Sequence, residues 1–93
     1  MMKRNQYYNK KTMNYRQLAR DLEKQGFTCK LWEDRNCLIV NYLCYLDCVV
    51  ISLTDYKEWL VTYCRPFHES KNYKASTNWS VIKLLRRLLI DAK

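Results

Sequence analysis

The stretch FTCKLWEDRNCLIVNYLCYLDCVVISLTDYKEWLVTYC, residues 27–64, decides the fold of this chain. It is dense in Val, Ile, Tyr, Trp, Phe, Thr and Cys, which suit a pleated, half-buried surface. Two polar clusters, residues 33–36 and 54–57, interrupt it. The pattern therefore predicts an antiparallel meander of three or four short strands.

The breaks in apolar character set the expected strand boundaries. We predict strands at residues 29–33, 37–42, 48–53 and 58–64, with 43–47 either a turn or a continuation. The run CVVISL at 48–53 is almost wholly apolar, which indicates a central strand. Pro66 ends the fourth strand because proline cannot donate to a ladder. Residues 65–77 are then predicted to form a long connecting loop.

One helix is expected before the meander, at about residues 15–25. Asn14 suits the N-cap, and Gln17 stands three residues on, at the capping-box spacing. Leu18 and Leu22 fall on one face, and Gly26 suits the left-handed position that follows a helix.

A second helix is expected at about residues 79–91, capped by Thr77 or Asn78. Its predicted apolar face consists of Trp79, Ile82, Leu85, Leu88 and Leu89, widened by Val81 and Leu84. Two such helices and a meander predict an α+β two-layer domain with both helices against one face of the sheet.

The composition is that of one folded domain. Of 93 residues, 48% are hydrophobic and 28% are charged, which is ordinary for a globular chain. We expect residues 1–12 to be a basic mobile arm and residues 13–93 to be a single domain. One Gly and one Pro in the whole chain exclude a Gly-rich phosphate-binding loop.

Cysteine usage bears on the compartment. The chain has five cysteines, an odd number, and its N-terminal residues lack the apolar run of a secretory signal. Nowhere do about 18 apolar residues follow one another, as a membrane-spanning helix requires. We therefore expect a cytoplasmic protein with free thiols and no membrane association.

Basic charge is concentrated in the two ends of the chain. The formal net charge is +8, with seven Lys or Arg against two Asp or Glu in residues 1–26, three against five in 27–64, and seven against two in 65–93. Such asymmetry indicates a polyanionic partner, with nucleic acid or a nucleoprotein complex the leading hypothesis. The candidate phosphate-binding residues are Lys10, Lys11, Arg16, Arg20, Lys24, Lys71, Lys74, Lys83, Arg86 and Arg87.

Metal binding and catalysis are the competing chemical hypotheses. Cys44, Cys48, Cys64 and His68 have the residue types of a structural zinc site. In one extended strand, however, Cys44 and Cys48 would lie about 13 Å apart, too far for one metal. His68 is the single histidine, and the carboxylates are scattered. We therefore expect a non-enzymatic protein with no metal or other cofactor.

Aromatic residues support a second class of function, protein binding. With both helices on one face, the other face of the sheet is open, and exposed rings there could bind unpaired bases or a protein. The acidity of residues 27–64 favours a protein on that face. The alternative hypothesis is an inhibitor or adaptor, such as an anti-CRISPR-like protein of a phage or mobile element that docks on a host nucleic-acid enzyme. Its expected anchors are Trp32, Trp59, Phe67 and Tyr73.

Overall fold

The computed structural model describes residues 14–43 and 46–91 of the chain. The predicted arm with Lys10 and Lys11 lies outside these residues, as does Cys44. The elements are α1 (Tyr15–Glu23), β1 (Phe27–Trp32), β2 (Cys37–Tyr42), β3 (Cys48–Leu53), β4 (Trp59–Cys64), β5 (Lys71–Ala75) and α2 (Asn78–Leu85), with a short 3₁₀ turn at Glu33–Arg35 and a π-helical continuation of α2 at Arg86–Asp91.

The strands form one antiparallel sheet in the order β1-β2-β3-β4-β5. The α+β prediction is confirmed, and the count of strands rises from three or four to five. The fifth, β5, lies within the predicted loop 65–77, so that part of the loop prediction is wrong. Its sequence, KNYKA, is mostly polar because β5 is an edge strand and only Tyr73 and Ala75 face the core.

Helix α1 begins and ends much as its sequence predicts. The Asn14 side chain accepts hydrogen bonds from the backbone N–H groups of Arg16 and Gln17. Gln17 does not close a capping box, because its Oε1 accepts from Arg20 Nη2 at 3.4 Å and its amide N–H donates to Asp21 Oδ1 at 2.9 Å. The helix ends at Glu23, two residues earlier than predicted, and Gly26 follows with φ of 98°, in the left-handed region.

The strand register divides the sheet into two faces. One face, the covered face, packs against Leu18 and Leu22 of α1 and the buried residues of α2. Its side chains are Phe27, Cys29, Leu31, Leu38, Val40, Tyr42, Val49, Ile51, Leu53, Trp59, Val61, Tyr63, Tyr73 and Ala75. Both helices therefore lie on the same side of the sheet, as predicted.

Trp59 and Tyr15 join the helices to the strands beneath them. Trp59 has no exposed surface, and its Nε1–H donates to Asn78 Oδ1 of α2 at 3.1 Å. The Tyr15 ring meets the Trp59 ring edge-on at 5.2 Å. The Tyr15 hydroxyl donates to the backbone oxygen of Asn36 at 2.7 Å and accepts from the Leu53 N–H at 2.9 Å.

Helix α2 departs from its prediction at one residue. Thr77 is the N-cap and accepts from the Ser80 N–H, and Val81, Ile82, Leu84, Leu85 and Leu89 are buried. Trp79, which was predicted to join that apolar face, is 60% exposed. At 100° per residue, it lies well away from the stripe centred on Val81, Leu85 and Leu89. In the described part of the chain, no helix has the length and apolar character to cross a membrane.

Candidate functional site

The outward surface of α2 and its π-helical continuation is basic. Lys83, Arg86 and Arg87 are all exposed there. The helical repeat places them on the same side as the exposed Trp79, opposite the buried stripe. Arg86 and Arg87 stand where the helix widens from α to π geometry. Segments of π-helix are rare in proteins, and those that occur are often found at functional sites. This surface therefore combines three basic side chains with one exposed ring.

A shallow groove of about 290 Å³ separates this surface from the edge strand β5. We call it the basic groove; it is lined by Tyr73, Lys74, Ala75, Ser80, Lys83, Leu84 and Arg87. Among these described residues there is no Asp or Glu. Ala75 and Leu84 give it an apolar floor, while Lys83 and Arg87 stand one helical turn apart along one wall. The groove therefore has the charge and the shape to hold an anionic chain.

A second concavity lacks the net positive charge of the basic groove. It lies near the N-terminal end of α1 and is lined by Tyr15, Asn36, Leu53, Thr54, Asp55 and Lys57. One carboxylate and one ammonium group balance there, so this concavity offers an anion no net attraction.

Helix α1 extends the basic surface toward the other side of the helical layer. Arg16, Arg20 and Lys24 are spaced four residues apart and are all exposed. Arg86 Nη1 donates to Gln25 Oε1 at 3.1 Å, which joins the end of α1 to the π segment. Cations from both helices therefore lie on one outer surface.

Helix α1 has two acidic residues, of which Glu23 is exposed and Asp21 is partly buried. Both carboxylate oxygens of Asp21 accept from amides: Oδ1 from Gln17, and Oδ2 from Asn78 at 3.1 Å. Asp21 therefore serves to connect α1 to the start of α2.

The two lysines of β5 occupy different positions. Lys74 pairs with Leu60 and points to the uncovered face, so it borders the basic groove from the rim. Lys71 pairs with Tyr63 at the exposed end of the edge strand. Both can add to a phosphate-binding surface only from its border.

The uncovered face of the sheet, here the open face, carries little charge. Its side chains are Thr28, Lys30, Trp32, Cys37, Ile39, Asn41, Cys48, Val50, Ser52, Leu60, Thr62, Cys64, Asn72 and Lys74. None of these is acidic, because the five acidic residues of 27–64 all lie between strands. The acidity of residues 27–64 therefore does not lie on the open face, and the expectation that it favours a protein partner there is wrong.

The four residues expected to anchor a protein partner differ in their exposure. Trp59 is wholly buried in the core, which corrects the expectation that it contacts a partner. Trp32 is 43% exposed on the open face, with the Arg35 guanidinium 4.8 Å from its ring. Phe67 is fully exposed with φ of 65°, and Tyr73 is half-buried beside the basic groove. Of the four, Trp32 and Phe67 offer large exposed rings.

The metal candidates are only partly brought together. Cys48 and Cys64 are direct partners across β3 and β4, while His68 is exposed with Nδ1 2.9 Å from the backbone oxygen of Pro66. Over residues 14–43 and 46–91, no group of three or more His, Cys, Asp or Glu side chains could hold a metal ion. Cys29 faces the helices instead, where burial, aided by the Glu23 charge, raises the pKa of its thiol to about 12.

The sequence signal for Trp79 was present but ambiguous. Trp79 lies three residues before Ile82 and four before Lys83, so helical spacing connects it with both a buried and an exposed residue. The buried pair Val81 and Leu85 decides between the two, because it moves the centre of the apolar stripe away from Trp79.

Comparison of the chain with protein-family models, with curated proteins and with solved structures finds no match in any of the three.

Proposed function

We propose that this protein binds nucleic acid through the phosphate backbone, using the basic outer surface of its helical layer. One observation carries the proposal: Lys83 and Arg87 line a groove that has no acidic residue among its described lining. A phosphate chain placed there would meet two cations one helical turn apart. Lys74 would approach it from the rim.

The form of binding follows from the residue types. Lys and Arg contacts to phosphates position a protein on nucleic acid without reading its sequence. Each neutralised phosphate releases counterions, so the logarithm of the affinity falls by roughly 0.9 per decade of salt for each duplex contact. Arg16, Arg20, Lys24 and Arg86 would add contacts along the same surface. We therefore expect weak sequence preference and strong salt dependence.

The exposed Trp79 bears on which nucleic acid is preferred. A ring beside a phosphate-binding groove can stack on an unpaired base, a contact worth about 1–3 kcal/mol per base. In a duplex the bases are already stacked on each other. We therefore expect single strands to bind more tightly than duplexes of equal length, and Trp79→Ala to remove most of that difference.

The test is fluorescence anisotropy with labelled single-stranded and double-stranded DNA and RNA over a series of salt concentrations. The double variant Lys83→Ala, Arg87→Ala should weaken binding to every sequence. It should also reduce the slope of log affinity against log salt by the contribution of about two phosphate contacts. The matched control is Lys30→Glu against Lys83→Glu, which makes the same change in net charge on opposite faces of the molecule.

The comparison between these two reversals decides the proposal. Lys83→Glu should reduce affinity by at least about tenfold, and Lys30→Glu should have a much smaller effect. If the two reversals weaken binding equally, only net charge matters, and the basic groove is not the site. If wild-type protein binds none of the four nucleic acids at low salt, the proposal fails altogether.

Protein docking through the open face is a second candidate, and one observation favours it. Ile39, Val50 and Leu60 form an apolar centre on that face, with the exposed Trp32 beside it. An inhibitor or adaptor, of the anti-CRISPR-like kind or another, would dock there. The tagged protein should then retain one partner from an extract of its own cells after nuclease treatment, and Trp32→Ala should release it. If the retained proteins are lost after nuclease treatment, the result instead supports nucleic-acid binding.

A further inference from the structure

Two cysteines face each other on the open face. Cys48 and Cys64 are direct partners in the antiparallel ladder between β3 and β4. Opposed residues in such a ladder have Cα atoms about 4.5 or 5.5 Å apart, and a disulfide spans about 4.4–6.8 Å. We propose that Cys48 and Cys64 are a thiol-oxidation site, which closes into a reversible intramolecular disulfide.

The surroundings leave this pair reactive. Both thiols are half-exposed and free, and their side chains share a hydrogen bond. Thr28 and Asn41 continue the same cross-strand row toward β1. Because neither cysteine is fully buried, we expect a small oxidant to reach the pair without unfolding of the sheet.

The two cysteines have different roles. The Ser70 hydroxyl donates to Cys64 Sγ at 3.7 Å, and Cys64 Sγ donates to the backbone oxygen of Thr62 at 3.9 Å. Burial, and then the nearby Cys64, raises the pKa of the Cys48 thiol, and a raised pKa lowers the share of the reactive thiolate. We therefore assign the first attack to Cys64 and the second step to Cys48.

The reaction is an exchange with a small-molecule disulfide. The Cys64 thiolate attacks one sulfur of that disulfide, breaks its S–S bond and releases one thiolate, which takes up the proton that Cys64 lost. The Cys48 thiolate then attacks the Cys64 sulfur and displaces the second small thiol, which takes up the proton from Cys48. Two protein thiols are oxidised, and one disulfide is reduced to two thiols.

The other described cysteines do not compete for this chemistry. Cys29 lies on the covered face, and its pKa of about 12 keeps it protonated at neutral pH. Cys37 lies on the open face at the other end of β2 and is buried. Oxidation should therefore be selective for one pair.

The experiment uses the full chain in buffers of fixed ratios of reduced to oxidised glutathione, followed by acid quenching, alkylation and peptide mass mapping. We expect a peptide pair joined through Cys48 and Cys64. The equilibrium constant for forming this disulfide should be at least about tenfold larger in the folded protein than in the same chain in urea. Equal constants would show that the fold does not bring the two sulfurs together.

Single serine variants supply the controls. Cys64→Ser and Cys48→Ser should each abolish the intramolecular disulfide and leave at most a glutathione adduct on the remaining thiol. Cys29→Ser and Cys44→Ser should leave the disulfide intact. A crosslink from Cys44 to either partner, or a wild-type protein that stops at the glutathione adduct, would overturn the assignment.

Discussion

The two faces of this sheet are built from alternate residues of the same strands, yet they differ in almost every property. The covered face is made of Leu, Val, Ile, Phe and Trp with tyrosines at its border, and it packs against two helices. The open face mixes Thr, Ser, Asn, thiols and two lysines with three aliphatic side chains. A side-chain period of two is therefore enough to separate stability from surface chemistry within one strand.

The net charge of a segment does not show which surface of this domain carries that charge. Residues 27–64 have a net negative charge, but their acidic residues lie in the connections between strands. Residues 65–93 have a net positive charge, and much of it is gathered on one surface of α2. Charge counted by segment thus pointed to exposed cations on α2 but gave the wrong character for the open face.

The largest expected effect tests the two faces with one residue type. Trp59→Ala should cost about 3–5 kcal/mol of unfolding free energy, because it empties the centre of the covered face. Trp32→Ala, on the open face, should cost less than about 1 kcal/mol. Urea unfolding followed by circular dichroism measures both. Similar losses would show that the open face is also part of a packed interior.

Adjacent valines on β3 sharpen the comparison. Val49→Thr places a hydroxyl on the fully buried face and should cost about 1–3 kcal/mol. Val50→Thr makes the same change one residue on, on the half-buried open face, and should cost at most about 0.5 kcal/mol. The pair is compared by urea unfolding at two protein concentrations. If Val50→Thr is as costly as its neighbour, another surface covers the open face in solution.

The fold was predictable wherever periodicity and burial agree. Strands β2 and β3 were predicted at their observed bounds, because apolar runs bounded by polar turns leave one interpretation. The strand β5 was not, because an edge strand with one covered side needs only Tyr73 and Ala75 to be apolar. Turn chemistry could not reveal it either, since Arg65 to Ser70 reads as loop with or without a strand after it.

The candidate site was predictable in its charges and not in its shape. Lys83, Arg86 and Arg87 were candidate phosphate-binding residues because of the charge of their segment, and all three are exposed in the structure. That β5 forms the opposite wall of a groove depends on tertiary pairing, which no local pattern contains. Trp59 was misassigned for the same reason: a strand aromatic can face either side, and only the position of the helices decides.

A smaller effect tests what holds α1 over the covered face. Tyr15→Phe keeps the ring against Trp59 but removes the hydroxyl that bridges Asn36 and Leu53. A half-buried N–H is left without that acceptor, so we expect a loss of about 1–2 kcal/mol in urea unfolding. Tyr56→Phe, at a ring that is mostly exposed, is the matched control and should be neutral. Equal losses would mean that the bridge is not formed in solution.

The smallest effect concerns alkaline pH, at which ionisation of the Tyr63 phenol on the covered face should lower the free energy of unfolding. Tyr63 donates to Asp47 Oδ2 at 2.6 Å, and burial, then this carboxylate, raises the pKa of its phenol from 10.0 to about 12. The unfolded chain releases this proton from about pH 10 upward and the folded chain only near 12, so stability is full below pH 10 and falls between these values. Tyr63→Phe should cost about 1 kcal/mol at pH 8 through the lost hydrogen bond, and this deficit should shrink as the pH approaches 12. Urea unfolding of both proteins across this range measures the difference, in which the other titrating groups cancel. A deficit that stays constant with pH would show that the Tyr63 phenol is not protected by the covered face.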